Sequence, residues 1–142
     1  MSSNHKLGEK SSLVIAILNA DITTDRTSSY YAAKGYRRAR VVLRTDSTLE
    51  STKVATVEFL EATDSSGTGA QRLGSLQTFT SNVASGELAE LEYEVDLDTM
   101  SSTYTHIAVK VTSNSAAALD AAVALELGEP RFKPAPSLLT AS

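Results

Sequence analysis

General acid–base chemistry asks for a side chain that titrates near neutrality, and the chain has two histidines, His5 and His106. A hydrolytic triad would have one of them take a proton from a nucleophile while a third group orients its ring. His5 stands in a polar opening stretch, MSSNHKLGEKSS, with no period that could bury a face. His106 falls on the polar side of an alternating segment, with Lys110 and Thr112, against Ile107, Val109 and Val111. No Gly-x-Ser-x-Gly elbow occurs. The absence of Cys removes thiol nucleophiles, thiolate zinc ligands and disulfides together. Gly67-Thr68-Gly69 is not followed by Gly-Lys-Ser/Thr and opens no helix, so it reads as a hairpin tip rather than a phosphate loop. The carboxylate pairs Asp21/Asp25 and Asp96/Asp98 have the oxygen ligands that calcium takes, but neither forms an EF-hand loop, and both read as turn caps. No catalytic residue, cofactor or metal is expected, and the chain is not expected to be an enzyme.

Recognition chemistry is better represented. Tyr30, Tyr31 and Tyr36, three of the five tyrosines, lie among Lys34, Arg37, Arg38 and Arg40. Tyr and Arg are enriched where proteins meet, because each offers a large contact area with a polar tip. Tyr30, Tyr31, Tyr36, Arg37, Arg38 and Arg40 are therefore candidate interface residues. The same set suits stacking on single-stranded nucleic acid or sugars. Its purely structural alternative packs the rings on a sheet edge and turns Arg38 and Arg40 to water. Only 6% of residues are aromatic and there is no Trp, which weighs against an aromatic platform for glycans.

Net charge is −4, which disfavours direct nucleic-acid binding, but the charge is unevenly spread. Residues 1–44 hold 8 Lys/Arg against 3 Asp/Glu, and residues 45–142 hold 5 against 14. Such a chain can meet copies of itself or an acidic partner through complementary faces. It can equally carry one basic and one acidic strand, each facing water.

The elements that position these residues follow from period-two patterning. The clearest case sets Leu91, Tyr93, Val95 and Leu97 inward against Glu90, Glu92, Glu94 and Asp96. The same rule places Ala55, Val57 and Phe59 inward against Thr56 and Glu58. Further strands are predicted at Leu13–Ala20, Arg37–Arg44 and Leu76–Thr80, with loops at Thr45–Ser51, Asp64–Gly69, Ser81–Glu87 and Ser113–Ser115. Residues 115–127 fit a helix through Leu119, Val123 and Leu127, and a strand through Val123, Leu125 and Leu127. We take the strand, which completes a sheet beside 103–112. The prediction is an all-β fold, an antiparallel β-sandwich or partly closed barrel over residues 13–128. A flexible N-terminal arm (1–12) and an extended, Pro-containing C-terminal tail (129–142) flank it. The longest apolar run, Leu13–Leu18, is far short of the roughly 18 residues of a membrane span. Glu9 interrupts the basic flank before that run, so no secretory signal is expected.

The C-terminal third, TYTHIAVKVTSNSAAALDAAVALELGEPRFKPAP, resembles the ending of many small structural proteins of tailed bacteriophage particles. There a strand of the form Tyr-x-x-x-x-Val-x-Val-Thr precedes a short loop, an apolar strand, Gly-Asp/Glu-Pro-Arg-aromatic and a Pro-rich tail. The matching positions are Tyr104, Val109, Val111, Thr112, Gly128, Glu129, Pro130, Arg131, Phe132 and Pro134, within a resemblance covering residues 88–136. It implies a virion structural protein made in the host cytoplasm, with a capsid decoration or cement role favoured over a tail or head-to-tail position. It also implies a major capsid protein or other virion proteins as partners, a trimer as the favoured homo-oligomer, and no membrane. Arg131, Phe132 and Lys133 then join the candidate interface. A carbohydrate-binding or adhesin-like sandwich is the alternative from a different class.

Overall fold

Strands form where apolar residues alternate, and in the computed structural model nine of them occupy residues 13–130, the residues that are described; side chains are described from Ala20 to Gly128. They are β1 (Leu13–Asp21), β2 (Arg26–Thr27), β3 (Tyr31–Ala32), β4 (Tyr36–Leu49), β5 (Val54–Ala62), β6 (Gln71–Thr80), β7 (Glu87–Asp96), β8 (His106–Ser113) and β9 (Asp120–Pro130). A single 3-10 turn, Leu97–Thr99, follows β7. The predicted arm 1–12, with His5, and the tail from Arg131 onward lie outside the described residues.

Every pairing is antiparallel, in two sheets. One has the order β1-β9-β4-β7; the other has β2-β8-β5-β6, with β3 also on β8. This interleaving of distant strands in two facing sheets is that of a jelly roll, built from two Greek keys. The sheets pack as a sandwich and do not close into a barrel. Between them lie Ala39, Val41 and Leu43 of β4, Ala55, Val57 and Phe59 of β5, Ile107, Val109 and Val111 of β8, and Val123, Leu125 and Leu127 of β9. These are the inward residues that period two selects.

Five expectations need correction. The predicted Thr45–Ser51 loop is strand as far as Leu49, with a bulge where the pairing slips between Arg44 and Thr48. There the buried Thr45 hydroxyl accepts from Ala89 N–H at 2.9 Å, so a side chain replaces a ladder bond. Strand β6 starts at Gln71, five residues before Leu76. Leu97 is buried as predicted, but in the 3-10 turn. Strand β9 begins only at Asp120, because Asn114–Leu119 is a held loop: Glu50 accepts from Ser115 Oγ at 2.8 Å, and Asp21 from Leu119 N–H at 3.1 Å. Glu58, read as outward, is on the outer face but only 9% exposed, since Arg72 Nε donates to it at 2.9 Å and Lys110 is its cross-strand neighbour.

The loops separate to two ends. Residues 22–25, 50–53, 81–86 and 114–119 meet at one, tied by bonds such as Ile22 N–H to Leu119 O at 2.9 Å and Thr52 N–H to Ser81 O at 2.7 Å. Residues 28–35, 63–70 and 97–105 meet at the other. Leu13 pairs with Leu127, and Tyr36 with Pro130, so both strands at the borders of the described chain reach this second end as well.

Candidate functional site

The second end collects most of the predicted tyrosines. Its frame is backbone: Ala33 N–H donates to Thr105 O at 2.9 Å, Thr105 N–H to Ala62 O at 3.0 Å, and Thr63 N–H to Thr68 O at 3.0 Å. Tyr31 and Tyr36 are half-buried against the core. Tyr30 lies on the 63–70 hairpin, where a Cβ on Gly67 would sit 2.7 Å from its ring, and φ of +85° at Gly67 already demands glycine. From the other side, Tyr104 Oη donates to Gly69 O at 2.8 Å. Asp64 accepts from Ser66 N–H at 2.9 Å and Thr68 N–H at 3.1 Å. The Thr68 hydroxyl, then these amides, holds its carboxyl below the ordinary range.

A buried acid fixes the third loop. Glu61, 3% exposed, accepts from Gln71 Nε2 at 2.6 Å, Ser101 N–H at 3.0 Å and Ser101 Oγ at 3.1 Å. Asp96, one of the predicted turn caps, accepts from Asp98 N–H at 2.9 Å and starts the 3-10 turn. Between this loop and the 33–34 turn opens a cleft of about 390 Å³, lined by Lys34, Leu97, Asp98, Met100, Ser102 and Tyr104 among others. Sequence reading missed it, because its walls come from segments more than sixty residues apart; the Asp-x-Asp spacing at Asp96 and Asp98 was the only local signal.

The cations divide. Arg37 is exposed at the start of β4, next to the cleft end. Arg38 and Arg40 face β7 across the sheet, and so does Arg44. Arg38 pairs with Glu94 at 3.4 Å, Arg44 with Glu90 at 3.7 Å, and Arg40 with Glu92 at 3.2 Å and Glu126 at 3.0 Å. The basic and acidic segments of the sequence thus lie side by side in one sheet and neutralise each other. His106 is half-buried, its Nδ1 2.8 Å from Thr105 Oγ1. Asp21, the other predicted cap, accepts from Thr23 N–H at 2.9 Å. Among the described residues no group of acids or histidines is arranged to hold a metal ion, and no helix is long and apolar enough to cross a membrane. Arg131, Phe132 and Lys133 lie outside the described residues.

No protein-family model and no curated protein matches the chain. Among solved structures it is similar to the naturally occurring empty particles of cowpea mosaic virus, at 11% identity over 89% of this chain and 86% of that one, with a TM-score of 0.48. It is similar to the CBM22-1–GH10 modules of Clostridium thermocellum xylanase 10B, at 12% identity over 91% of this chain and 28% of that one, with a TM-score of 0.49. It is also similar to the carbohydrate-binding module CBM28, specific for non-crystalline cellulose, at 11% identity, spanning 65% of that chain with a TM-score of 0.40.

Proposed function

We propose that this chain is a virion structural protein, a decoration or cement protein on the head shell of a tailed phage, and that it acts by binding without catalysis. The observation that carries the reading is the convergence at one end of the sandwich of half-buried Tyr30, Tyr31, Tyr36 and Tyr104, Arg37 and both border strands of the described chain. A protein that bridges several shell subunits gains from joining a rigid face to chain segments that reach further, since each added contact becomes intramolecular after the first. Whatever binds the assembled shell and not its separate subunits favours assembly by linkage. The carboxyl-terminal resemblance is consistent with the fold: β8, the 114–119 loop and β9 follow one another in the order it implies. The carbohydrate reading asks for a flat, exposed aromatic surface, whereas the five tyrosines are all half-buried, and Tyr93 and Tyr104 carry hydrogen bonds through their hydroxyls.

The test is cosedimentation of the purified chain with assembled head shells that lack it, alongside a glycan array. Saturable loading on shells, weakened by deletion of residues 1–12 with the fold retained, supports the proposal. Glycan binding without shell loading overturns it.

A further inference from the structure

We infer that the open edge of β6 is a seat for β6 of a second copy, the two strands pairing antiparallel about a two-fold axis at Thr78. The order β2-β8-β5-β6 leaves β6 with a strand on one side only. One bond fixes where its backbone groups point. Ser81 N–H donates to Lys53 O at 2.9 Å, and the register that sets Thr80 against Val54 makes these two residues directly opposed. Along an antiparallel strand the backbone groups turn to its two sides in alternation. Phe79 and Gln77 therefore bond β5 as Ser81 does, and the N–H and C=O groups of Thr78 and Thr80 point away from it. Val54 agrees, for its N–H goes to Asn114 Oδ1 and its C=O accepts from Ser113 Oγ, both on the side away from β6. Among the described residues no group meets the outward ones of Thr78 and Thr80.

Edge strands that stay single are blunted by bulges or by charge. The first half of β6 is blunted: it bulges at Gly74, and Ser75 N–H is taken by Tyr93 Oη at 2.9 Å. The second half is bare. No residue from Leu73 to Gly86 carries a charge. Exposed Leu76 and Val83 flank it on either side. With the axis at Thr78, Thr78 faces Thr78, and Leu76 faces Thr80 of the other copy. By the same alternation these residues turn their backbone groups outward, so each pair exchanges both of its hydrogen bonds. The register also keeps outer face continuous with outer face, since a slip of one residue would reverse them. Threonines opposed across strands attract each other, and Leu76 is carried toward Thr80 and the loop beyond it, which holds Val83. An incoming β7 would instead bring Glu90, Glu92 and Glu94 to a stretch with no cation, and β2 and β3 are two residues each. Pairing of β6 with β1 of another copy would leave an open edge at both ends and run on into fibres, whereas β6 on β6 closes. This pair of copies goes beyond the assembly reading and differs from the trimer that the carboxyl-terminal resemblance implies.

The chain has no Cys, so Thr78→Cys and Thr80→Cys, made singly in the full chain, report without background. At the axis the two copies of position 78 lie about 5.5 Å apart at Cα, within the roughly 4.4–6.8 Å that a disulfide spans. Position 80 and its mate are about 13 Å apart in that register. Mild oxidation is expected to link the Thr78→Cys chains into dimers at least about tenfold faster than the Thr80→Cys chains, as effective concentration dictates. Light scattering on the unaltered chain should give twice its 15.1 kDa. Thr78→Pro removes an N–H that the seam uses and the β5 ladder does not, and Leu76→Lys adds the charge that guards an edge. Each should weaken dimerisation at least about tenfold with circular dichroism unchanged; Leu76→Lys, at an exposed position, carries the test should Thr78→Pro unfold. A single-chain mass at about 1 mM, a trimer, or equal linking at the two positions would each overturn the proposal. Loading on shells is measured separately, so failure here and failure of the assembly reading remain distinct.

Discussion

Gly74 adopts φ of +81° where β6 bulges out of register with β5, and a Cβ there would strike the hydroxyl of Tyr93. That hydroxyl accepts from Ser75 N–H at 2.9 Å, and its ring meets Phe59 at 5.7 Å, so one tyrosine of β7 closes a gap in the opposite sheet. Left-handed backbone costs a residue with a Cβ about 1–2 kcal/mol, and displacement of Tyr93 adds to that in Gly74→Ala. Tyr93→Phe should lose about 1 kcal/mol. In urea melts the Gly74→Ala penalty should shrink in the Tyr93→Phe background, because the two changes share one contact. Ser81 poses the reverse case: its buried hydroxyl has no partner among the described residues, while its backbone is bonded to Lys53 and Thr52. Removing an unsatisfied buried polar atom is neutral or favourable, so Ser81→Ala should match the parent or gain up to about 1 kcal/mol. Nothing local in the sequence announces either site, since Gly74 reads as an ordinary strand interruption and Ser81 as a loop residue until the opposite sheet is in place.

At the scale of elements, β4 and β7 form a ladder of Arg38, Arg40 and Arg44 against Glu94, Glu92 and Glu90. These pairs are exposed, and each is worth about 0–1 kcal/mol. Arg40→Ala leaves two carboxylates, Glu92 and Glu126, and should cost more than Arg44→Ala, which leaves Glu90; its penalty should fall when the melt is repeated in about 0.5 M salt, which screens pairs that face water. Both strands were legible as strands, since Leu91, Tyr93 and Val95 alternate with Glu and period two has only one reading there. Their adjacency was not, because sequence alternation says which face a side chain takes but not which strand lies beside it. The same limit explains the Thr45–Ser51 error: Thr45, Asp46, Ser47 and Thr48 have turn chemistry, and only the Ala89 N–H donated to Thr45 shows that they serve a bulge. The 115–127 ambiguity has a similar origin, for three consecutive alanines favour a helix locally, while β1 and β4 on either side of β9 require a strand.

For the whole molecule, four hydrogen-bonded carboxyls couple the fold to acid. Asp21, Asp25, Glu50 and Asp64 are all held below their ordinary values of 3.8 for Asp and 4.5 for Glu. The leading causes are the Thr23 amide at Asp21, the Thr112 side chain at Asp25, the Ser115 hydroxyl at Glu50 and the Thr68 side chain at Asp64. A carboxyl whose pKa is depressed by folding stabilises fully above its unfolded value and loses that contribution as pH falls through the folded one. The melting temperature should therefore be level above about pH 5 and decline from there downward, and Glu50→Gln should flatten the decline by loosening the 114–119 loop at every pH. Thermal melts across that range check both outcomes. The order β1-β9-β4-β7 also governs how the molecule comes into being. A chain emerging from the ribosome makes β1 and β4 early, but the strand that belongs between them is β9, and Leu13 must wait for Leu127. Until then that sheet has a slot one strand wide with two unsatisfied edges, open to β9 of any neighbouring chain, so crowded synthesis should yield strand-exchanged oligomers that dilute refolding does not.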